Sequence, residues 1–522
     1  MTRTQQLTTI AKGGATWLRA ASERLAIALT PALAEPGDEA ALRRLQMKSW
    51  AFWAAAGAVF YGAYQPGIFY FADSYAHLAD AITLRFNAWH PPILPLLWGI
   101  LFPFLGVRAP LVLHCAAFFG AFGLLSHCFI ASRRRMSLSL VLLAFTAPAL
   151  LHLKLVAKDT SLATMVALLA ALYLFGRDRP RSLPRGIAVA LALFYAANVR
   201  YALFVALAPL AGLFVHARFA GRAPSRRRMA LAMLVGLGIT STFTVLNRLA
   251  FEWLYHPKPA ESSHLLYFDM VGTLAWADAL DEMPAYAVRD PDVGPELRRA
   301  YAANPLSADV FSPWGAARAL VRQTEMTKVA GDWLRIVTAH PLAYLRHRGA
   351  FAQHALTSVQ LWPEETKIPP LEENFLLPRL VSFLESTGLP SARARAAGED
   401  LVYSTVHRPN AVSDLVDRYV HATRWLLLPL VHLVFEVAVA GWLFVKRRYD
   451  LRFALAASAA LGIGMNCFSA PAVDLRYVYW CLLSSVLILW CSLTRPEDPP
   501  TAAARAPRAG EGPRRPDDPA RE

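Results

Sequence analysis

Apolar runs approaching membrane-spanning length recur along this chain, at roughly 49–65, 109–131, 137–156, 160–176, 186–199, 201–217, 229–250, 424–445, 452–471 and 475–494. Backbone in lipid must satisfy its own hydrogen bonds, so a helix of about 20 apolar residues is the unit that crosses. Such runs in 522 residues, 55% of them hydrophobic, argue against a string of soluble domains. The expected fold is an all-α polytopic membrane protein with about ten transmembrane helices, a juxtamembrane helix in the first outer loop, and a mainly α extracytoplasmic region.

A further apolar stretch, 91–106, reaches only about 24 Å at ~1.5 Å per residue, short of a ~30 Å hydrocarbon core. Pro91, Pro92 and Pro95 suit a helix start, so an interfacial helix that does not cross is predicted. Charge supports this. With the N-terminus inside, four cytoplasmic loops carry Arg133–Arg135; Arg177, Arg179, Arg181 and Arg185; Arg218, Arg222 and Arg226–Arg228; and Lys446–Arg448 with Arg452. Those are 16 basic residues, against six in the short outer connections: Arg85, Arg108, Lys154, Lys158, Arg200 and Arg476. The positive-inside rule thus favours ten crossings with both termini cytoplasmic. The continuous apolar stretch 186–217 is too long for one crossing and is expected to turn at Asn198-Val199-Arg200-Tyr201, with Arg200 at the outer surface.

The predicted organisation follows: 1–48, a cytoplasmic amphipathic segment; 49–250, a transmembrane catalytic module with its first outer loop at 66–108; 251–421, a large extracytoplasmic region; 422–494, C-terminal transmembrane helices; and 495–522, a disordered cytoplasmic tail rich in Pro, Ala and Arg. Region 251–421 holds 21 acids and 16 bases, a net of −5 against +15 for the chain. It is expected to be a domain, with helices over Ala316–Val337 and Pro341–Phe351. Near the start, Glu23 and Arg24 interrupt the only apolar region that resembles a cleavable signal. Trp17, Leu18, Ala21, Leu25 and Leu29 there suit one side of a surface helix. The positive charge reads first as topology, and no nucleic-acid-binding signature accompanies it. The five cysteines all lie in apolar segments, which argues against a disulfide framework or a thiolate zinc site.

Chemistry concentrates in the first outer loop. Residues 66–106 read PGIFYFADSYAHLADAITLRFNAWHPPILPLLWGILFPFLG. Asp73, His77 and Asp80 fall at i, i+4 and i+7, one face of a helix, and the loop closes on Trp89-His90-Pro91-Pro92. Ionisable groups this close to a bilayer cost free energy unless they serve a site. The topology brings Lys158, Asp159, Arg200, Asp474 and Arg476 to the same side. Structural roles compete for each. Asp73 suits a helix cap, His77 and Asp80 a solvated or hydrogen-bonded helix face, and His90 the turn before two prolines. Lys158-Asp159 suits an anchor and cap, while Arg200 and Arg476 suit snorkelling to headgroups. The shared side favours a site for a substrate with a charged head and a lipid tail.

An Asp in the first outer loop, a His-Pro-Pro motif opening a juxtamembrane helix and a second acid at the next outer turn resemble the GT-C superfamily of polytopic glycosyltransferases. The layout is similar to the protein-O-mannosyltransferase and aminoarabinose-transferase relatives. The resemblance covers about 66–200, through Asp73, His90-Pro91-Pro92, Lys158-Asp159 and Asn198-Val199-Arg200-Tyr201. Trp333–Arg348 (WLRIVTAHPLAYLRHR) and Asp474-Leu475-Arg476-Tyr477 resemble uncharacterised bacterial members. The first loop lacks an Asp-x-Asp pair, a departure from the metal-dependent oligosaccharyltransferase branch, so no metal ligand is assigned and a divalent ion is left as an option.

The resemblance implies a bacterial inner-membrane enzyme, active on the extracytoplasmic side, and assigns it no certain cofactor. It would transfer a sugar, with inversion, from a polyprenyl-phosphate-linked donor to a glycan, lipid or protein acceptor. Asp73 and Asp159 are then the catalytic carboxylates. Lys158, Arg200 and Arg476, with His77, His90 and Asp474, contact substrate, and helix 91–106 borders the lipid groove. Two rivals predict different residues. An O-antigen polymerase or ligase would depend on region 251–421, through Arg346 and Arg348. A lipid-linked-sugar flippase or other transporter would carry ionisable groups at mid-membrane depth, whereas the charges here gather at span ends.

Overall fold

The computed structural model describes residues 39–494, apart from 70, 87–90, 131–133, 178–181, 219–224, 256–263, 291, 312–316, 318, 322–325, 360–375, 387–388 and 471. The expected amphipathic N-terminal helix and the C-terminal tail lie outside the described residues, as does most of the 131–135 arginine turn. About 82% of the structure is helical. In chain order the elements begin with α1 (Glu39–Tyr64), β1 (Ile68–Phe69), α2 (Phe71–Thr83), α3 (Ile93–Leu105), α4 (Ala109–Phe129), α5 (Arg134–Ala144), α6 (Ala147–Leu150) and β2 (Leu155–Val156). There follow α7 (Lys158–Arg177), α8 (Leu183–Val199), α9 (Ala208–Arg218) and α10 (Arg226–Tyr255). A polar unit contains α11 (His264–Ala277), α12 (Gly294–Ala303), α13 (Met326–Ala339), α14 (Pro341–Thr357), α15 (Leu376–Ser386), α16 (Ser391–Ser404) and α17 (Ala411–Ala422). The chain ends in α18 (Pro429–Val445), α19 (Leu451–Ser469) and α20 (Tyr479–Thr494).

Among the described residues, five helical stretches are long and apolar enough to cross a membrane: Ile93–Phe129, Lys158–Gly176, Arg226–Tyr255, Leu451–Phe468 and Leu475–Thr494. The first is not one straight rod. Gly106 interrupts it with φ +57°, a conformation that favours glycine, and separates α3 from α4. The expected juxtamembrane helix is therefore a separate element. It buries Leu94, Pro95 and Trp98 while leaving Ile100 and Phe104 exposed. Leu183–Val199, Ala208–Ala217 and Pro429–Val445 are shorter apolar helices.

Several expectations are corrected. The run 137–156 is not one helix: α5 stops at Ala144, Thr146 is extended (φ −73°, ψ 153°), and Pro148 starts α6 where its missing amide leaves no bond unmade. The run 201–217 opens with a single 3-10 turn, Tyr201–Leu203, and becomes α-helical only at Ala208. Of the helix expected over Ala316–Val337, the part over 326–337 is helical, Val321 pairs with Val288 in an antiparallel bridge, and residues 316, 318 and 322–325 lie outside the described residues. His77 and Asp80 are buried rather than solvated.

Two short strands, not expected in an all-α chain, tie the first loop to the one before α7. Ile68 pairs with Leu155 and Phe69 with Val156 in parallel register. Gly67, at φ +113°, makes this approach possible, since a Cβ there would sit 2.5 Å from Val156 Cγ2. The Ser74 hydroxyl then donates to the Val156 carbonyl at 2.5 Å, extending the tie into α2. Helix α2 is sandwiched: Tyr75, Leu78 and Ala79 share a buried cluster with Trp98 of α3, Leu377 and Leu380 of α15 and Val402 of α16.

Candidate active site

Asp73 lies in the first turn of α2 and is enclosed by side chains from two distant segments. Arg476 Nη1 donates to its Oδ2 at 2.9 Å, and Lys158 Nζ lies 3.6 Å from the same oxygen. The Asp73 and Lys158 side chains keep 16% and 14% exposure, so the pair is sheltered but not sealed. Asp474 orients Arg476. It caps the single turn Leu475–Val478 by accepting the Arg476 amide at 2.9 Å, and its Oδ2 lies 2.7 Å from Arg476 Nε. Burial raises the Asp474 carboxyl above its ordinary range, while Arg476 beside it pulls the other way.

A second ion pair lies alongside. Asp159, in the first turn of α7, bonds Arg200, which leaves the end of α8 in an extended conformation (φ −150°, ψ 95°). The Asp159 Oδ2 atom is buried and makes no hydrogen bond within the protein. Tyr477 joins the two pairs: Arg200 Cζ is 4.1 Å and Arg476 Cζ 4.9 Å from its ring centroid, and Arg476 Nη2 donates to its hydroxyl at 3.1 Å. The site thus gathers three acids (Asp73, Asp159, Asp474) and three bases (Lys158, Arg200, Arg476), formally balanced.

His77 is buried one turn along α2 from Asp73. Burial, with Lys158 and Arg476 nearby, pushes its imidazole down to about 3, against a smaller opposing pull from Asp73, so it is neutral here. His90 lies outside the described residues. Tyr477 was missed as a site residue, although its place beside Arg476 in the Asp474–Tyr477 fragment was the available signal. Among the described residues, no cluster of three or more His, Cys, Asp and Glu is arranged to hold a metal ion.

Charge is also buried elsewhere. In the polar unit Asp269 of α11 pairs with Arg348 of α14 at 2.6 Å and accepts from Trp333 Nε1 at 3.1 Å; both members of the pair are inaccessible. Glu436, midway along α18, departs from the pattern of charges at helix ends: it is fully buried and accepts the Ser485 hydroxyl at 2.6 Å. At the end of α1, Asp417 of α17 accepts from both Tyr64, at 2.8 Å, and Lys154. That contact docks the polar unit on the apolar helices. Against this geometry, no protein-family model, curated protein or solved structure matches the chain, so its own residues carry the functional reading.

Proposed function

We propose that this chain is a GT-C-type membrane glycosyltransferase of the bacterial inner membrane. It moves a sugar from a polyprenyl-phosphate-linked donor to an extracytoplasmic glycan, lipid or protein acceptor. One observation carries the reading: Asp73 is bracketed by Lys158 and Arg476 where helix ends from across the chain meet. The start of α7 supplies Lys158, the end of α8 supplies Arg200 through Asp159, and the turn before α20 supplies Arg476.

The acceptor hydroxyl attacks the anomeric carbon from the face opposite the phosphate. The bond between that carbon and the phosphate oxygen breaks, and the lipid phosphate leaves with the electron pair. Lys158, Arg200 and Arg476 stabilise the charge it acquires. As phosphate oxygens engage Lys158 and Arg476, Asp73 is relieved of its ion-pair partners and takes the hydroxyl proton. Asp159, buried and paired with Arg200, orients the acceptor or tunes Asp73 through that arginine. The polymerase or ligase reading gains no support at Arg348, which is sealed against Asp269.

Asp73→Asn, assayed in membranes supplied with polyprenyl-phosphate sugar, lowers transfer by roughly 10²–10⁴-fold with the protein still monodisperse. Transfer within a few-fold of wild type removes Asp73 from the mechanism.

A further inference from the structure

The segment Ala470–Val478 joins α19 to α20 and carries Asp474 and Arg476, yet it packs with the polar unit. Ala470, Val473 and Tyr477 belong to one buried cluster with Phe268, Phe311 and Phe351. The Val473 amide donates to the Leu306 carbonyl at 3.0 Å, and Ser307 pairs with Ala472 in an antiparallel bridge. At its start, Arg348 Nη1 donates to the Ala470 carbonyl at 3.4 Å. Asn466 Nδ2 reaches across to the Tyr477 carbonyl at 2.8 Å and closes the segment on itself.

Arg348 is braced from behind. Besides Arg348 and Trp333, Asp269 bonds His347 Nε2 at 3.3 Å, and His347 Nδ1 lies 2.7 Å from the Tyr301 hydroxyl. Side chains from α11, α12, α13 and α14 therefore converge behind one backbone carbonyl of the site segment. A sealed Asp–Arg pair carries a desolvation cost of several kcal/mol, which well-packed apolar residues would not incur, so it is poorly explained as a stabiliser alone. Fixing a register is the better-attested use of such a pair.

We propose that Arg348 is a positioning residue, holding the segment 470–478 against the polar unit so that Arg476 meets Asp73. The functional part of this inference rests on the glycosyl-transfer reading; the structural part does not. Arg348 touches no substrate. It acts through the Ala470 carbonyl, and loosening that contact lets Arg476 drift from its partner.

The test pairs Ser307→Cys with Ala472→Cys in the full-length protein, with each single variant as control. Directly paired strand residues are close enough for a disulfide. Closure under mild oxidant is followed by mass spectrometry of alkylated thiols. Arg348→Met should slow closure about tenfold by raising the open population, and Arg348→Lys should fall between. In the transfer assay, Arg348→Met should lower kcat about tenfold with donor KM unchanged, and closing the disulfide should restore it. Equal closure rates in all backgrounds overturn the proposal, as does slow closure with undiminished transfer. If Arg348→Met is not monodisperse, Arg348→Lys decides by the same criteria. If the unmutated background transfers no sugar, the glycosyl-transfer reading fails while closure rates still decide the positioning role.

Discussion

The segment Ala470–Val478 has a charged cluster on each side, and the two are built differently. Asp73 and Lys158 keep part of their surface accessible, and with the buried Arg476 behind them they come from segments far apart in sequence. Asp269 and Arg348 are sealed, with Trp333 and His347 adding hydrogen bonds to Asp269. A charge that must meet a substrate has to stay reachable and to exchange partners. A charge that fixes geometry has to be enclosed and held by its counter-ion. The same residue types thus do opposite work, and accessibility separates them.

The comparison breaks most readily at the sealed pair. Asp269→Ala leaves Arg348 buried without its counter-ion and should destabilise the protein by about 3–5 kcal/mol, read as a loss of thermal stability in detergent. A change below about 1 kcal/mol would show that the pair is not sealed in solution. At the accessible cluster the order reverses. Lys158→Met leaves Asp73 with Arg476, so stability should shift by no more than about 1 kcal/mol, while sugar transfer falls roughly a hundredfold. Equal losses of folding and transfer would erase the distinction.

A third effect sharpens it through pH. His77 is neutral when folded, held down to about 3 by burial, whereas an exposed imidazole titrates near 6.5. As pH falls through about 6.5 the unfolded chain gains a proton that the folded chain refuses. Stability should then decline by up to about 1.4 kcal/mol per pH unit until about pH 3. His77→Gln should flatten that slope in thermal unfolding between about pH 6 and 4. An unchanged slope would mean that His77 is accessible and that α2 is not enclosed.

Much of the cluster was legible before the fold was known. Asp73, Lys158, Asp159, Arg200, Asp474 and Arg476 are ionisable residues at the ends of apolar runs, and counting basic loops assigned those ends to one side. The partners were not legible. Asp73 and Arg476 lie 403 positions apart, and nothing local encodes that they meet. The β1–β2 tie was invisible because two-residue strands leave no periodic signal, although Gly67 marks the place. His77 and Asp80 read as a solvated face because α15 and α16, which cover α2, are recognisable only as amphipathic helices with no stated partner. Asp269 did leave a signal, as an acid inside the apolar stretch of α11, the kind of misfit that was used to find Asp73.

The equality of acids and bases around Asp73 bears on how a ligand arrives. Paired charges that cancel cast little potential beyond their own neighbourhood, so the cleft does not fish anions out of bulk water. Encounter rates should then depend little on ionic strength, and a headgroup delivered by two-dimensional diffusion in the bilayer is recognised only on contact, when its oxygens trade places with carboxylates already holding the arginines.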